Sequence, residues 1–174
     1  IVLGGITAHF AVEGQGFYGI PLAEYLPYSV ARSWHLQLAV LWIATAWLAT
    51  GLYIAPAISG HEPKFQRFGV NFLFTCLLVI VVGALGGQWA AVMQKMGLGL
   101  NFWFGHQGYE YVDLGRVWQI ALFVGLILWL VLMLRAILPA ARRRDDARSL
   151  VLMFTGATTA IGLLYGAGFF FGAE

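Results

Sequence analysis

Charged side chains are scarce in this sequence. Asp, Glu, Lys and Arg make up 10% of the 174 residues, whereas hydrophobic residues make up 60%, and the mean hydropathy is +0.79. A water-soluble domain of this size cannot cover so much apolar surface, so the composition excludes an ordinary soluble protein and predicts lipid as the solvent. The net charge is only +2, and no basic stripe alternates with aromatic residues. Nucleic acid is therefore not an expected partner.

Cysteine is nearly absent, and the common motifs of soluble enzymes are missing. Cys76 is the only cysteine, which excludes an intrachain disulfide and a CxxC metal site. The sequence contains no P-loop, no GxSxG and no HExxH, so nucleotide and hydrolase chemistry have no support. The chain starts at Ile1, with neither a basic n-region nor a small-residue cleavage site. We therefore expect no signal peptide, and we expect an internal piece of a longer protein.

Long apolar stretches dominate what is present. They cover residues 1–12, 29–56, 65–96, 113–138 and 149–172. The last four can cross a hydrocarbon core of about 30 Å, whereas the first rises only about 18 Å and is typical of the end of a truncated helix. We predict an all-α integral membrane protein in which residues 1–174 form a single transmembrane region. It would have four full transmembrane helices plus the end of a truncated one.

A few residues mark the expected helix ends and contacts. Segment 22–26 is flanked by prolines and is expected to lie along the membrane surface. Ser29 is expected to cap the second helix, and Pro56 to end it. Gly83 and Gly87 have the GxxxG spacing that allows another helix to approach closely.

Basic residues divide unevenly between the two sides of the predicted bundle. If the spans alternate in direction, loops 57–64 and 139–148 share the side that holds most of the Lys and Arg residues. The positive-inside rule then places these two loops in the cytoplasm. His9, Glu13 and Glu110 fall on the opposite, periplasmic or outer side. The expected location is the inner (cytoplasmic) membrane, crossed several times.

His35 is the residue that most strongly indicates chemistry. It lies about one and a half to two turns inside the second predicted helix, where an unsatisfied imidazole costs roughly several kcal/mol. A neutral imidazole can give a nitrogen lone pair to haem iron. The alternative is a histidine hydrogen-bonded to a neighbouring helix, and the residue pattern alone leaves both readings open.

His9 and Glu13 form a second candidate site. They are separated by four positions, so on one helix they share a face and their head groups can converge. An imidazole and a carboxylate near the interface can accept the protons that a quinol releases when it is oxidised. An ordinary polar helix end explains the spacing equally well.

Three further residues fit a cofactor on the outer side. Glu110 offers hard oxygen beside Asp113, suited to calcium or to hydrogen bonds with cofactor propionates. Asp113 itself is more typical of the N-cap of the fourth helix. Arg32 and Arg116 lie near helix starts, where a guanidinium can pair with a haem propionate or extend to lipid headgroups.

Several blocks resemble quinol-dependent nitric oxide reductases of the haem-copper oxidase superfamily. They are residues Thr7–Gly14, Phe17–Pro21, Arg32–His35, Glu62–Lys64 and Phe104–Arg116. The likeness runs along essentially the whole chain. It implies an internal piece of a larger haem-copper oxidase-like helical bundle whose parent enzyme reduces two NO to N2O and water with electrons from membrane quinol. The family's cofactors are a low-spin haem b, a high-spin haem b3 and a non-haem iron.

The resemblance also implies roles for individual residues. His35 matches an axial ligand of the low-spin haem b, which favours ligation over the hydrogen-bonded alternative. His9 and Glu13 match the quinol head-group site. Glu110 matches a glutamate near the haem propionates, where some relatives hold calcium and others water.

The chain also departs from the family pattern. The second low-spin ligand, the ligand of haem b3 and the ligands of the non-haem iron have no matching blocks, and His61 and His106 fall in predicted loops. The expected role is therefore electron entry, with no catalytic residue of the binuclear centre in this chain. The expected partners are membrane lipid, quinol and the remaining helices of the parent, and the oligomeric state stays open, a homodimer included.

Two other readings remain at this point. One is a cytochrome b membrane anchor of a quinol-linked oxidoreductase, which would hold complete bis-histidine haem pairs. The other is a non-enzymatic transporter or assembly protein in which His35 and Glu13 line a polar pathway.

Overall fold

The computed structural model describes residues 1–106, 114–146 and 148–171, without the side chains of residues 165 and 169–171. Within these ranges the secondary structure is helical and contains no strand. The helices are α1 (Val2–Val12), α2 (Leu22–Tyr25), α3 (Tyr28–Ser59), α4 (Gln66–Val92), α5 (Leu98–Phe104), α6 (Arg116–Ala141) and α7 (Arg148–Phe171).

Four of these helices are long and apolar enough to cross a membrane: α3, α4, α6 and α7. Helices are the natural outcome here because every backbone N–H and C=O in lipid must find its partner within the chain. The prediction of an all-α integral membrane fold with four full spans is confirmed, and the protein is a multi-pass membrane protein. Helix α1 is shorter, with 11 residues in this sequence.

The expected end of α3 at Pro56 is wrong. The helix continues to Ser59, with Pro56 inside it. A proline in the last turns removes its own N–H but does not prevent later residues from bonding, and the N–H of Gly60 donates to the carbonyl of Pro56 at 2.9 Å. Gly60 then adopts φ +62, the left-handed conformation that commonly ends helices. The hydroxyl of Ser59 accepts a hydrogen bond from the N–H of His61 at 3.1 Å.

Other boundaries also differ from the sequence pattern. Helix α3 begins at Tyr28, so Ser29 lies in its first turn and the expectation that Ser29 is the N-cap is wrong. The predicted surface segment 22–26 contains the short helix α2. Helix α5 occupies a region expected to be loop, because seven apolar residues are too few to give a span signal. Asp113, the expected cap of the fourth span, lies outside the described residues.

The chain forms two compact units, and residues of α3 and α4 belong to both. The first unit comprises Ile1–Ala44 and Gly83–Arg116, and the second comprises Thr45–Val82 and Val117–Glu174. In the first unit, the indole N–H of Trp34 donates to the carbonyl of Leu85 at 3.1 Å. The indole N–H of Trp89 donates to the carbonyl of Tyr25 at 2.7 Å. These two tryptophans therefore tie chain segments together within the unit.

Trp129 is the centre of the second unit. Its side chain is fully buried, and its indole N–H donates to the carbonyl of Leu48 at 2.8 Å. The ring lies beside two glycines: a Cβ built on Gly51 would be 2.9 Å from one ring carbon, and a Cβ on Gly162 would be 3.3 Å from another. Two residues without side chains thus create the space for the largest side chain of the core.

Basic residues of the second unit bind backbone carbonyls in the stretch from Ser59 to Lys64. A guanidinium N–H of Arg135 donates to the carbonyl of Lys64 at 3.1 Å, and the guanidinium of Arg143 donates to the carbonyl of Ser59. The carbonyl of Ser59 lies at the end of α3, where carbonyls lack intrahelical partners, and a cation near a helix C-terminus is favourable. Loop 57–64 and the start of 139–148, expected on one side of the membrane, therefore lie together.

Gly87 lies against the backbone of another segment of the first unit. A Cβ on Gly87 would overlap the carbonyl oxygen of Phe104, at the end of α5. The GxxxG spacing therefore predicted a close approach correctly at Gly87, and the approaching segment is the short helix α5. Gly86, its neighbour, has nothing within 4 Å of the corresponding position.

We predict that Gly87→Ala destabilises the protein strongly, because a backbone carbonyl cannot move aside as a side chain can. The expected loss is about 1–3 kcal/mol of unfolding free energy. Gly86→Ala is the matched control and should be neutral or slightly stabilising, since Ala favours helix over Gly by up to about 1 kcal/mol. Denaturant unfolding of both variants in detergent measures the difference. Equal stability of the two variants would contradict the predicted contact.

Candidate functional site

The segment after α1 folds back because of two glycines. Glu13 caps α1, and its N–H donates to the carbonyl of His9 at 2.8 Å. Gly14 follows with φ +92, and Gly19 has φ +67. Residues with a Cβ rarely adopt this conformation, so the two glycines permit the chain to reverse direction. Hydrogen bonds from the N–H of Phe17 to Gly14 and from Gly19 to residue 16 complete the turns.

The structure brings His9 and Glu13 together, as their spacing predicts. The Nδ1 atom of His9 lies 3.3 Å from a carboxylate oxygen of Glu13. The two side chains remain 43% and 42% exposed, so a small molecule can reach them. A carboxylate bound to Nδ1 fixes the orientation of an imidazole and favours its Nδ1–H tautomer. The Nε2 atom is then the ring nitrogen that can accept a proton.

Aromatic side chains surround the His9 ring. Phe17 stacks on it with a centroid distance of 4.1 Å and an interplanar angle of 6°, and Tyr18 meets its edge at 5.8 Å. Tyr18 in turn contacts Phe10, which is buried. The sequence pattern assigned neither Phe17 nor Tyr18 to this site. The available signal was the pair of turn glycines, Gly14 and Gly19, which return the chain towards the end of α1.

His35 lies on α3, seven positions after its first residue, or about 10 Å along the helix axis. Its side chain is half-buried. Neither ring nitrogen has a hydrogen-bond partner among the residues that the structure describes. The imidazole of His35 therefore presents two ring nitrogens, inside a membrane span, that the described part of the chain does not use.

The neighbour of His35 on α1 is Gly4. A Cβ built on Gly4 would be 2.9 Å from Cε1 of His35, 3.3 Å from Nε2 and 3.4 Å from Nδ1. The ring thus lies directly against the backbone of α1. Phe10 and His9, further along the same helix, carry the aromatic cluster described above.

The other candidate residues are placed as follows. Arg32 lies three positions before His35 on α3, hence on a similar side of the helix, and is half-buried. Arg116 is the first residue of α6 and is also half-buried. Glu110 lies outside the described residues, so its proposed calcium or propionate role stays a prediction.

Among residues 1–106, 114–146 and 148–171, no three His, Cys, Asp or Glu side chains come together as a metal site. His61 lies in the turn after α3, and the N–H of His106 donates to the side-chain oxygen of Asn101 at 3.0 Å. The described residues therefore do not fit a non-haem iron.

Comparisons with known proteins identify the family. A protein-family model described as Cytochrome C and Quinol oxidase polypeptide I matches residues 1–173. A comparison with curated proteins gives no match. Members of the family bind haem and are membrane oxidoreductases of the haem-copper oxidase superfamily, so the superfamily expected from the sequence is confirmed. Because the match covers nearly every residue, the chain belongs to the cytochrome c and quinol oxidase polypeptide I family, subunit I of the haem-copper oxidases.

Proposed function

We propose that the chain is part of a quinol-dependent nitric oxide reductase, in which it ligates a low-spin haem b and forms part of the quinol-oxidation site. One observation carries the proposal. A single unit contains both an imidazole inside a membrane helix, unbonded to any described residue, and an imidazole–carboxylate pair on the adjoining helix α1. Haem b3 and the non-haem iron of the parent enzyme would be held by helices outside this chain.

The residues around His35 fit a haem. The imidazole offers a ring nitrogen suited to iron, and Gly4 leaves the space beside the ring without side-chain atoms. Arg32 and Arg116 would pair with the propionates, because guanidinium binds carboxylates in a bidentate manner. A haem bound there would accept electrons singly and pass them on.

His9 and Glu13 would receive the quinol. A quinol hydroxyl donates its hydrogen to Nε2 of His9, while the Glu13 carboxylate stabilises the resulting imidazolium through Nδ1. Phe17 holds the plane of the imidazole ring. Oxidation of one quinol to the quinone releases two electrons and two protons. Two NO consume the same number when they form N2O and water.

Helix α1 connects the two sites. His9 lies five positions after Gly4, which corresponds to about 7.5 Å along the helix axis. The quinol pair is therefore about one and a half turns from the residue that touches His35. This arrangement favours direct electron entry from the quinol to the haem.

The preference for NO over oxygen rests on sequence blocks 7–14 and 104–116, since the family also includes oxidases. The proposed orientation rests on the charges: loops 57–64 and 139–148 in the cytoplasm, and the His9 side outside an inner membrane. Quinol, lipid and the remaining helices of the parent are the proposed partners. Calcium near Glu110 belongs to the same proposal.

The substrate can be tested on the complete parent protein, purified in detergent. With a reduced quinol and no oxygen present, it should consume NO and form N2O, one N2O for two NO. Oxygen consumption measured with the same quinol should be much slower. Rapid oxygen reduction without NO reduction would show a quinol oxidase and contradict this part of the proposal.

We predict that His35→Ala removes the low-spin haem, because it removes the imidazole nitrogen that would bind the iron. The reduced-minus-oxidised spectrum should lose the low-spin band, and quinol-driven NO reduction should fall by at least about a hundredfold. His61→Ala, an exposed histidine in a turn, is the control and should keep both. Retention of the low-spin band in His35→Ala would defeat the ligand assignment.

We expect His9→Ala and Glu13→Gln to impair quinol oxidation while leaving the haem bound. Loss of a positioned proton acceptor typically costs about 10²–10⁴-fold in rate, and Glu13→Gln should cost less because it removes only the charge. Steady-state turnover with quinol measures quinol oxidation, and reduction of the haem by dithionite shows that the haem is still bound. Glu24→Gln, an exposed carboxylate on α2, is the control. Normal quinol turnover in both His9→Ala and Glu13→Gln would refute the pocket.

A further inference from the structure

Gly4 lies against the imidazole of His35. The three heavy atoms nearest to a Cβ built on Gly4 all belong to that ring. The nearest contact at Gly4 is therefore with a side chain, unlike the backbone-to-backbone approach that small residues commonly allow between membrane helices. The position and plane of one imidazole thus decide how much space a side chain at position 4 would have.

The space at Gly4 limits where the ring can lie. A separation of 2.9 Å between a Cβ and Cε1 is shorter than real Cβ contacts, so any side chain at position 4 forces the ring to move. The imidazole is the far end of a flexible side chain, and it can rotate about its two side-chain bonds. A substitution at Gly4 would therefore change the orientation of the ring more readily than it would separate the helices.

We propose that Gly4 is a positioning residue for the haem: by having no side chain, it sets the plane in which the His35 imidazole is presented to iron. The inference rests on the proposed function, in which His35 is an axial ligand. The orientation of an axial imidazole determines how its orbitals overlap with those of the iron. It therefore influences the spectrum and the reduction potential of a low-spin haem.

The adjacent residue provides the contrast. Gly5, also on α1, has nothing within 4 Å of its built Cβ. Ala at either position has the same effect on helix propensity. Only the Gly4 substitution meets the imidazole. Comparing Gly4→Ala with Gly5→Ala therefore separates an effect on the position of the imidazole from a general effect of substituting a glycine in α1.

The test uses the complete parent protein with haem loaded. Gly4→Ala should shift the low-spin haem signal in electron paramagnetic resonance, and should shift the midpoint potential of that haem or reduce its occupancy. Gly5→Ala should leave the signal, the potential and the haem content at wild-type values. An unchanged signal in Gly4→Ala, or equal changes in the two variants, would overturn the positioning role.

A second measurement is needed if the Gly4→Ala protein does not accumulate. If the substituted methyl group clashes with the ring, the loss of yield and thermal stability should disappear in the His35→Ala background. An equal loss with His35 and with Ala at position 35 would show that the clash is not with the imidazole, and would overturn the inference. If His35→Ala itself keeps the low-spin haem, the proposed function fails. If it loses the haem while Gly4→Ala is silent, only the positioning role fails.

Discussion

The demand that polar groups find partners within lipid governs this structure. The indole N–H groups of Trp34, Trp89 and Trp129 each bind a backbone carbonyl of another segment, and Arg143 binds a carbonyl at the end of α3. Each bond removes an unsatisfied donor and connects two segments at the same time. Against this pattern, the imidazole of His35 has no such partner in the described part of the chain. Under the proposed function, the partner of this ring would be haem iron.

In two places a large ring packs against glycine residues. Trp129 lies against Gly51 and Gly162, and His35 lies against Gly4. Dispersion contacts are strong only at close range, so a ring must have space shaped for it. Glycine supplies that space at a cost in helix propensity of up to about 1 kcal/mol. These positions therefore balance local helix stability against packing around a particular ring.

The sequence predicted the four spans because composition and length decide them almost alone. It failed at both ends of α3. The helix passes Pro56 and ends before Gly60, and it begins at Tyr28, one residue before Ser29. It also missed α5, whose seven residues carry no periodic signal. For the site, the spacing of four predicted the His9–Glu13 contact correctly. The stacking of Phe17 required the turn geometry of Gly14 and Gly19, and the Gly4 contact required the packing of α1 on α3, which no local pattern specifies.

Helix α1 contributes to both proposed sites. It carries the proposed quinol pair at one end and, at Gly4, the residue that touches His35. A helix is rigid over such a distance, because its backbone hydrogen bonds fix one residue relative to the next. The position of the quinol and the plane of the imidazole would therefore be set together by a single element. Under the proposed function, electron entry would depend on how α1 packs on α3, and a change at one site would be transmitted to the other through the same turn and a half of helix.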